Sequence, residues 1–137
     1  MRILVIDDNQ ADRDLIITHI KNSKKRNLVI TEESNCLNDA LLKIKSNTYD
    51  VILLDLFLPE SDGIETVKAI LSSLQELSKN IPVIVLTGME DYKIGREAWD
   101  LGIKDYLIKD EIGTKDLSRA LNFATYDLSG KQKSVLI

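Results

Sequence analysis

Two uninterrupted apolar runs, each closing on aspartate, constrain this chain more than any other feature. Ile3-Leu4-Val5-Ile6 runs into Asp7-Asp8, and Val51-Ile52-Leu53-Leu54 runs into Asp55. Short runs this rich in β-branched residues predict strands of a parallel sheet, buried on both faces. A carboxylate that ends such a strand lies at the carboxyl edge, where open α/β sheets carry their ligand sites. If the two strands are neighbours, three carboxylates share one crevice. Like charges at close range do not all stay ionised without a counter-charge. A hard divalent cation supplies one, and Mg²⁺ is typical where few carboxylates meet a phosphate.

The rest of the chain alternates in the same rhythm. Strands are predicted over Arg2 to Asp7, Leu28 to Glu33, Asp50 to Asp55, Ile81 to Leu86 and Asp105 to Ile108. Between and after them, helices are predicted over Ala11 to Ser23, Leu37 to Ser46, Ile64 to Ser78, Asp91 to Leu101 and Thr114 to Leu128. In the second helix Leu37, Ala40, Leu41 and Ile44 recur at helical spacing. Gly102 is predicted to terminate the fourth helix, and Thr114 to cap the fifth. Gly63 is read as a backbone device of the turn before the third helix. Alternating strands and helices imply right-handed crossovers and a sheet covered on both faces. The fold class is therefore α/β in three α/β/α layers.

At 137 residues the chain suits one domain. Residues 129–137 read as a tail or a linker. Aromatics are only 5% against 44% hydrophobic residues, so the core has to be Ile, Leu and Val. A net charge of −4 argues against non-specific nucleic-acid binding over a whole face. One cysteine, Cys36, rules out a disulfide framework or a cysteine-based zinc site. The opening apolar stretch is too short for a signal peptide, and no segment approaches the roughly 20 apolar residues of a membrane span. A soluble, reducing, cytoplasmic setting is expected, with no membrane partner.

Two further residues fall at strand ends, Thr87 after Leu86 and Lys109 after Ile108. Three carboxylates, a cation, a hydroxyl and an ammonium suit phosphoryl transfer. The positive groups neutralise the charge on the phosphoryl oxygens, and the hydroxyl adds a hydrogen bond. A carboxylate is a competent nucleophile towards phosphorus.

Asp7-Asp8, the run from Asp55 through Leu58-Pro59 to Gly63, Thr87-Gly88, and Asp105-Tyr106-Leu107-Ile108-Lys109 together resemble the motifs of response-regulator receiver domains. The resemblance covers residues 2–128. It implies a flavodoxin-like, doubly wound sheet of five parallel strands in the order 2-1-3-4-5, with five helices. It implies Asp55 as phosphoacceptor, Asp8 as direct Mg²⁺ ligand, Asp7 acting on the metal mainly through water, and the Phe57 backbone carbonyl as a further ligand. Lys109 would contact the phosphoryl group. Thr87 and Tyr106 would be the switch residues. The implied phosphodonor is a histidine kinase or a histidine phosphotransfer protein, and the implied output is a protein partner or a homodimer through the fourth helix, fifth strand and fifth helix. No direct nucleic-acid contact is implied.

Lys109 departs from that pattern because Asp110 follows it, where the family usually has proline. A cis bond there is not expected, since a non-proline cis peptide costs about 2.5–4 kcal/mol. The loop 110–113 is expected to run differently, and the reach of Lys109 is what the change touches. Phe57 and Met89 border the path that the resemblance implies for hydrolytic water. Neither side chain can orient a water, so a long-lived phosphoryl group is expected.

Other residues read more plainly. His19 is expected at a surface or boundary of the first helix, Trp99 as packing or partly exposed surface, and Cys36 as structural. Lys21, Lys24, Lys25 and Arg26 read as a solvated basic face. An aspartyl-phosphate phosphatase is a rival reading, but it needs a second aspartate two residues past the nucleophile, and Leu56-Phe57 follow Asp55. A binding module that has lost phosphorylation is another, but it would lack one of the acceptor, acidic or lysine residues, and none is missing.

Overall fold

The structure is a computed structural model, and it describes residues 1–23, 28–61, 63–88 and 91–126. Five strands form one sheet: β1 (Arg2–Ile6), β2 (Ile30–Ser34), β3 (Val51–Leu54), β4 (Val83–Thr87) and β5 (Asp105–Ile108). All pairs are parallel, in the order β2-β1-β3-β4-β5. The helices are α1 (Gln10–Lys21), α2 (Leu37–Ser46), α3 (Ile64–Glu76), α4 (Tyr92–Leu101) and α5 (Thr114–Ala124). The expected fold class and strand order are those observed.

Side chains alternate along each strand, so β1 feeds two cores. Ile3 and Val5 pack with Ile16 and Ile20 of α1 and Leu117 and Leu121 of α5. Leu4 and Ile6 face the other way, towards Ala40 and Ile44 of α2, Val67 and Ile70 of α3 and Ala98 of α4. Both cores are dominated by Ile, Leu and Val, as the low aromatic content required. Fully burying one such side chain contributes about 1.5–3 kcal/mol. The central strands β1, β3 and β4 are buried along nearly their whole length, whereas the edge strand β2 exposes Ile30 and Glu33.

Several boundaries differ from expectation for local reasons. Asp7 and Asp55 sit one residue past their strands, yet the ladder reaches them: Asp7 N–H donates to the Ser34 carbonyl at 3.0 Å and Asp55 N–H to the Ile6 carbonyl at 2.9 Å. β4 begins at Val83 because Pro82 has no N–H to offer. α5 is capped by Gly113, not Thr114. The Asp116 carboxylate accepts the Gly113 N–H at 3.1 Å, and the Thr114 hydroxyl instead meets His19 Nδ1 at 2.9 Å. α5 also stops at Ala124, not Leu128, where Thr125 turns its hydroxyl back onto the Leu121 carbonyl at 3.0 Å. Residues 127–128 and the tail 129–137 lie outside the described residues, as do Lys24, Lys25 and Arg26.

Gly102 ends α4 in the left-handed conformation, at φ 112°, as expected. Gly63 also has a positive φ, 57°, at the entry to α3, which a side chain would strain. Among the described residues no helix is long and apolar enough to cross a membrane.

Candidate functional site

The sheet register brings Asp7, Asp8 and Asp55 to one edge, because β1 and β3 are neighbours. One carboxylate oxygen from each lies within 4.8 Å of the others. Asp7 and Asp55 are buried, and Asp8 is exposed. Lys109 enters from the end of β5. Its Nζ lies 2.5 Å from Asp7 Oδ2, 2.9 Å from Asp12 Oδ2 and 3.2 Å from Asp55 Oδ2. The described residues contain no cis peptide. The loop after Lys109 is anchored by the Lys109 N–H on the Thr87 carbonyl at 2.8 Å and the Glu111 N–H on the Ile108 carbonyl at 3.1 Å. Lys109 therefore reaches the crevice without a following proline.

Electrostatics at this edge are strained. Burial raises the pKa of Asp7 above its ordinary value, although pairing with Lys109 and the Asn9 N–H oppose it. Burial by itself would lower the pKa of Lys109, but Asp7, Asp12 and Asp55 together outweigh it and hold the ammonium firmly protonated. Asp55 Oδ1 and Thr87 Oγ1 are among the buried side-chain atoms that have no hydrogen-bond partner among the described residues. Both residues line one cavity of about 420 Å³, together with Phe57, Gly88 and Lys109. Buried polar groups without partners are costly, and two of them on one cavity wall leave that wall able to take a further partner.

The loop from Asp55 to Gly63 is held from outside the crevice. The buried Thr66 hydroxyl donates to the Leu56 carbonyl at 2.7 Å and shares a 2.7 Å contact with the Ser61 hydroxyl. Leu58 and Ser61 exchange backbone hydrogen bonds. The Glu60 carboxylate accepts the Leu37 and Asn38 N–H groups at 2.9 and 3.0 Å and so caps α2 from a distance. Phe57 is left half-buried in the cavity wall. Three carboxylates this close together, with one of their oxygens unpartnered, are the donor set of a small hard cation. The residues present fit Mg²⁺.

Tyr106 stands away from the carboxylates. Its ring lies against α4, where a Cβ on Gly95 would meet it at 3.6 Å. It lines a second cavity of about 700 Å³ with Tyr92, Arg96 and Trp99. Met89 and Asp62 lie outside the described residues. His19 is half-buried, Trp99 is 51% exposed, and Cys36 caps α2 by accepting the Asp39 N–H on its sulfur at 3.4 Å. His19 lines the cavity that Asp55 and Lys109 share.

Sequence reading did not single out Asp12, Glu60 or Thr66. Asp12 had a usable signal. It sits four residues after Asp8 in the first turn of the helix that follows β1, which points it at the same edge. Glu60 and Thr66 act through backbone groups distant in sequence and leave no such signal.

Residues 3–122 match the profile of the response regulator receiver domain. The KDP operon transcriptional regulatory protein KdpE of Escherichia coli is 33% identical over 122 residues, which are 89% of this chain and 50% of that protein. The transcriptional regulatory protein ResD of Bacillus subtilis is 32% identical over 108 residues, 79% of this chain and 41% of that one. The chain spans half or less of the length of these curated relatives. Among solved structures, the receiver domain of the Francisella response regulator 1452 is 30% identical, with a TM-score of 0.70 over 90% of this chain and 94% of that chain. A two-component response regulator from Clostridium difficile reaches a TM-score of 0.76 over the same shares at 22% identity, a likeness of fold alone.

Proposed function

The chain belongs to the response-regulator receiver family, and on that premise we propose that it is a phosphorylation-dependent signalling switch with Asp55 as its phosphoacceptor. The observation that carries this reading is the unpartnered, buried Asp55 Oδ1 beside two further carboxylates and the Lys109 ammonium. Asp55 attacks the phosphorus of the donor. The bond from phosphorus to the donor breaks, and the leaving group departs with its electron pair. Lys109 stays protonated throughout and offers N–H groups to the phosphoryl oxygens. The unpartnered Thr87 hydroxyl gains a hydrogen-bond acceptor on the same group. Asp7, Asp8, Asp55 and the Phe57 carbonyl would hold Mg²⁺, which when bound neutralises charge on the phosphoryl oxygens.

The domain then acts on its own phosphorylation and is not an enzyme towards other substrates. The receiver unit is residues 1–128, with 129–137 as tail or linker, in the cytoplasm beside a histidine kinase or histidine phosphotransfer protein. Thr87 is hydrogen-bonded through its carbonyl to Lys109, and β4 pairs Val85 with Tyr106. Movement of Thr87 towards the phosphoryl group therefore passes to Tyr106 and α4. The phosphoryl group selects one arrangement of these residues over the other. Tyr92 and Trp99 of α4 and Phe123 of α5 are exposed, and the face of α4, β5 and α5 is the surface offered to a protein partner or a second copy. KdpE and ResD are transcriptional regulatory proteins, so any nucleic-acid contact belongs to a longer protein and not to this domain.

Intact-protein mass after incubation with acetyl phosphate tests the reading. A gain of one phosphoryl group that needs Mg²⁺ and is lost in Asp55→Asn is expected. No gain in the wild type contradicts it and favours a domain that binds without phosphorylation.

A further inference from the structure

Lys109 has three N–H donors and three carboxylates around it. It donates to Asp12 Oδ2 at 2.9 Å and to Asp55 Oδ2 at 3.2 Å, with Asp7 Oδ2 closer still. On the proposed function, this ammonium has to offer an N–H to an incoming phosphoryl oxygen. One carboxylate must then let go. Side-chain exposure decides which, at 1% for Asp7, 9% for Asp55 and 42% for Asp12. Without a metal, releasing Asp7 or Asp55 leaves a buried charge unpaired; with Mg²⁺ held by those two, Asp12 is the carboxylate left to Lys109 alone, and in either case it returns to water at little cost. Asp12 is also well placed to compete. The Asn9 side chain accepts its N–H at 2.9 Å and fixes the first turn of α1, and Asp12 lines the same cavity as Asp55, Phe57 and Thr87.

We infer that Asp12 is a positioning residue that holds Lys109 in the unphosphorylated state and slows phosphoryl uptake. It ties up an N–H that the phosphoryl oxygens need, and its charge at the cavity wall repels an anionic phosphodonor. The α1 first turn also favours an acidic residue for its dipole, but that role would leave the phosphorylation rate unmoved.

The rate of phosphorylation by acetyl phosphate with Mg²⁺, followed by intact mass at several ionic strengths, tests the inference, which rests on Asp55 as acceptor. At low ionic strength Asp12→Asn is expected to react roughly threefold to tenfold faster than the wild type, with the gap narrowing as salt screens the charge. Asp12→Glu keeps the charge and is expected to stay near the wild-type rate. An Asp12→Asn rate equal to or below the wild type overturns the inference and leaves the acceptor reading standing. Failure of both proteins to gain mass overturns the two together.

Discussion

β1 and β3 carry charge at both of their ends, and the two ends handle it in opposite ways. At the amino edge Arg2 pairs with Glu32, and its N–H donates to Asp50 Oδ2 at 2.7 Å. The Tyr49 hydroxyl donates to Glu32 Oε1 at 2.8 Å, and the Arg2 guanidinium stacks 5.5 Å from the centre of the Tyr49 ring. Arg2, Glu32 and Asp50 there each have a partner of opposite sign or a donor. Pairing with Arg2 lowers the pKa of Glu32, while burial and then Glu32 push the Tyr49 phenol up to about 12. At the carboxyl edge Asp7, Asp55 and Asp12 share one lysine, Asp7 is raised by burial, and Asp55 Oδ1 and Thr87 Oγ1 are unpartnered. The same two strands thus end in a completed network on one side and an incomplete one on the other. The incomplete side is where a ligand with positive charge and a ligand with acceptor oxygens would each lower the free energy.

Removing the Lys109 ammonium from the incomplete edge is the largest expected effect. Lys109→Met leaves Asp7 and Asp55 buried without it, and about 2–4 kcal/mol of stability is expected to be lost in metal-free buffer. Denaturant unfolding with and without Mg²⁺ checks this. Part of the loss should return with Mg²⁺, because a second cation can replace the first in charge.

At the completed edge Tyr49→Phe deletes a single hydrogen bond and leaves Glu32 paired to Arg2. A smaller loss of about 1 kcal/mol is expected by the same measurement. It should not change with Mg²⁺. A Mg²⁺-dependent loss there would break the contrast between the two ends.

Asp7→Asn should act with the opposite sign. A raised folded pKa means that Asp7 contributes stability below its unfolded value near 3.8. That contribution is lost as pH rises through the folded pKa, so ionised Asp7 is a cost at neutral pH. Asp7→Asn is expected to stabilise the metal-free protein at neutral pH by a fraction of a kcal/mol to about 1 kcal/mol. Unfolding midpoints from acid to neutral pH should show the gain fading towards acid. Equal gain at all pH values would mean that Asp7 titrates normally.

Much of the fold was legible because burial imposes it. Ile3 to Ile6 and Val51 to Leu54 are apolar at every position, and only a strand covered on both faces needs that. The carboxylates were legible because each follows such a strand directly, and Thr87 and Lys109 lie at matching ends. Helix ends were less legible. Thr114 is a better capping residue than Gly113 in isolation, yet its hydroxyl went to His19, ninety-five positions away in sequence. The role of Asp12 was hidden because an acidic residue in a first helical turn already has a sufficient local reason to be there. Glu60 was hidden likewise, since nothing near it in sequence announces the N-terminus of α2.

Thermal unfolding during a Mg²⁺ titration tests most directly whether the carboxyl edge is an incomplete site, with Asp8→Asn as the control. Saturating Mg²⁺ is expected to raise the wild-type midpoint by roughly 3–8 °C and to move Asp8→Asn far less. A wild-type midpoint that stays fixed, or one that rises equally in Asp8→Asn, would contradict a cation site at Asp7, Asp8 and Asp55.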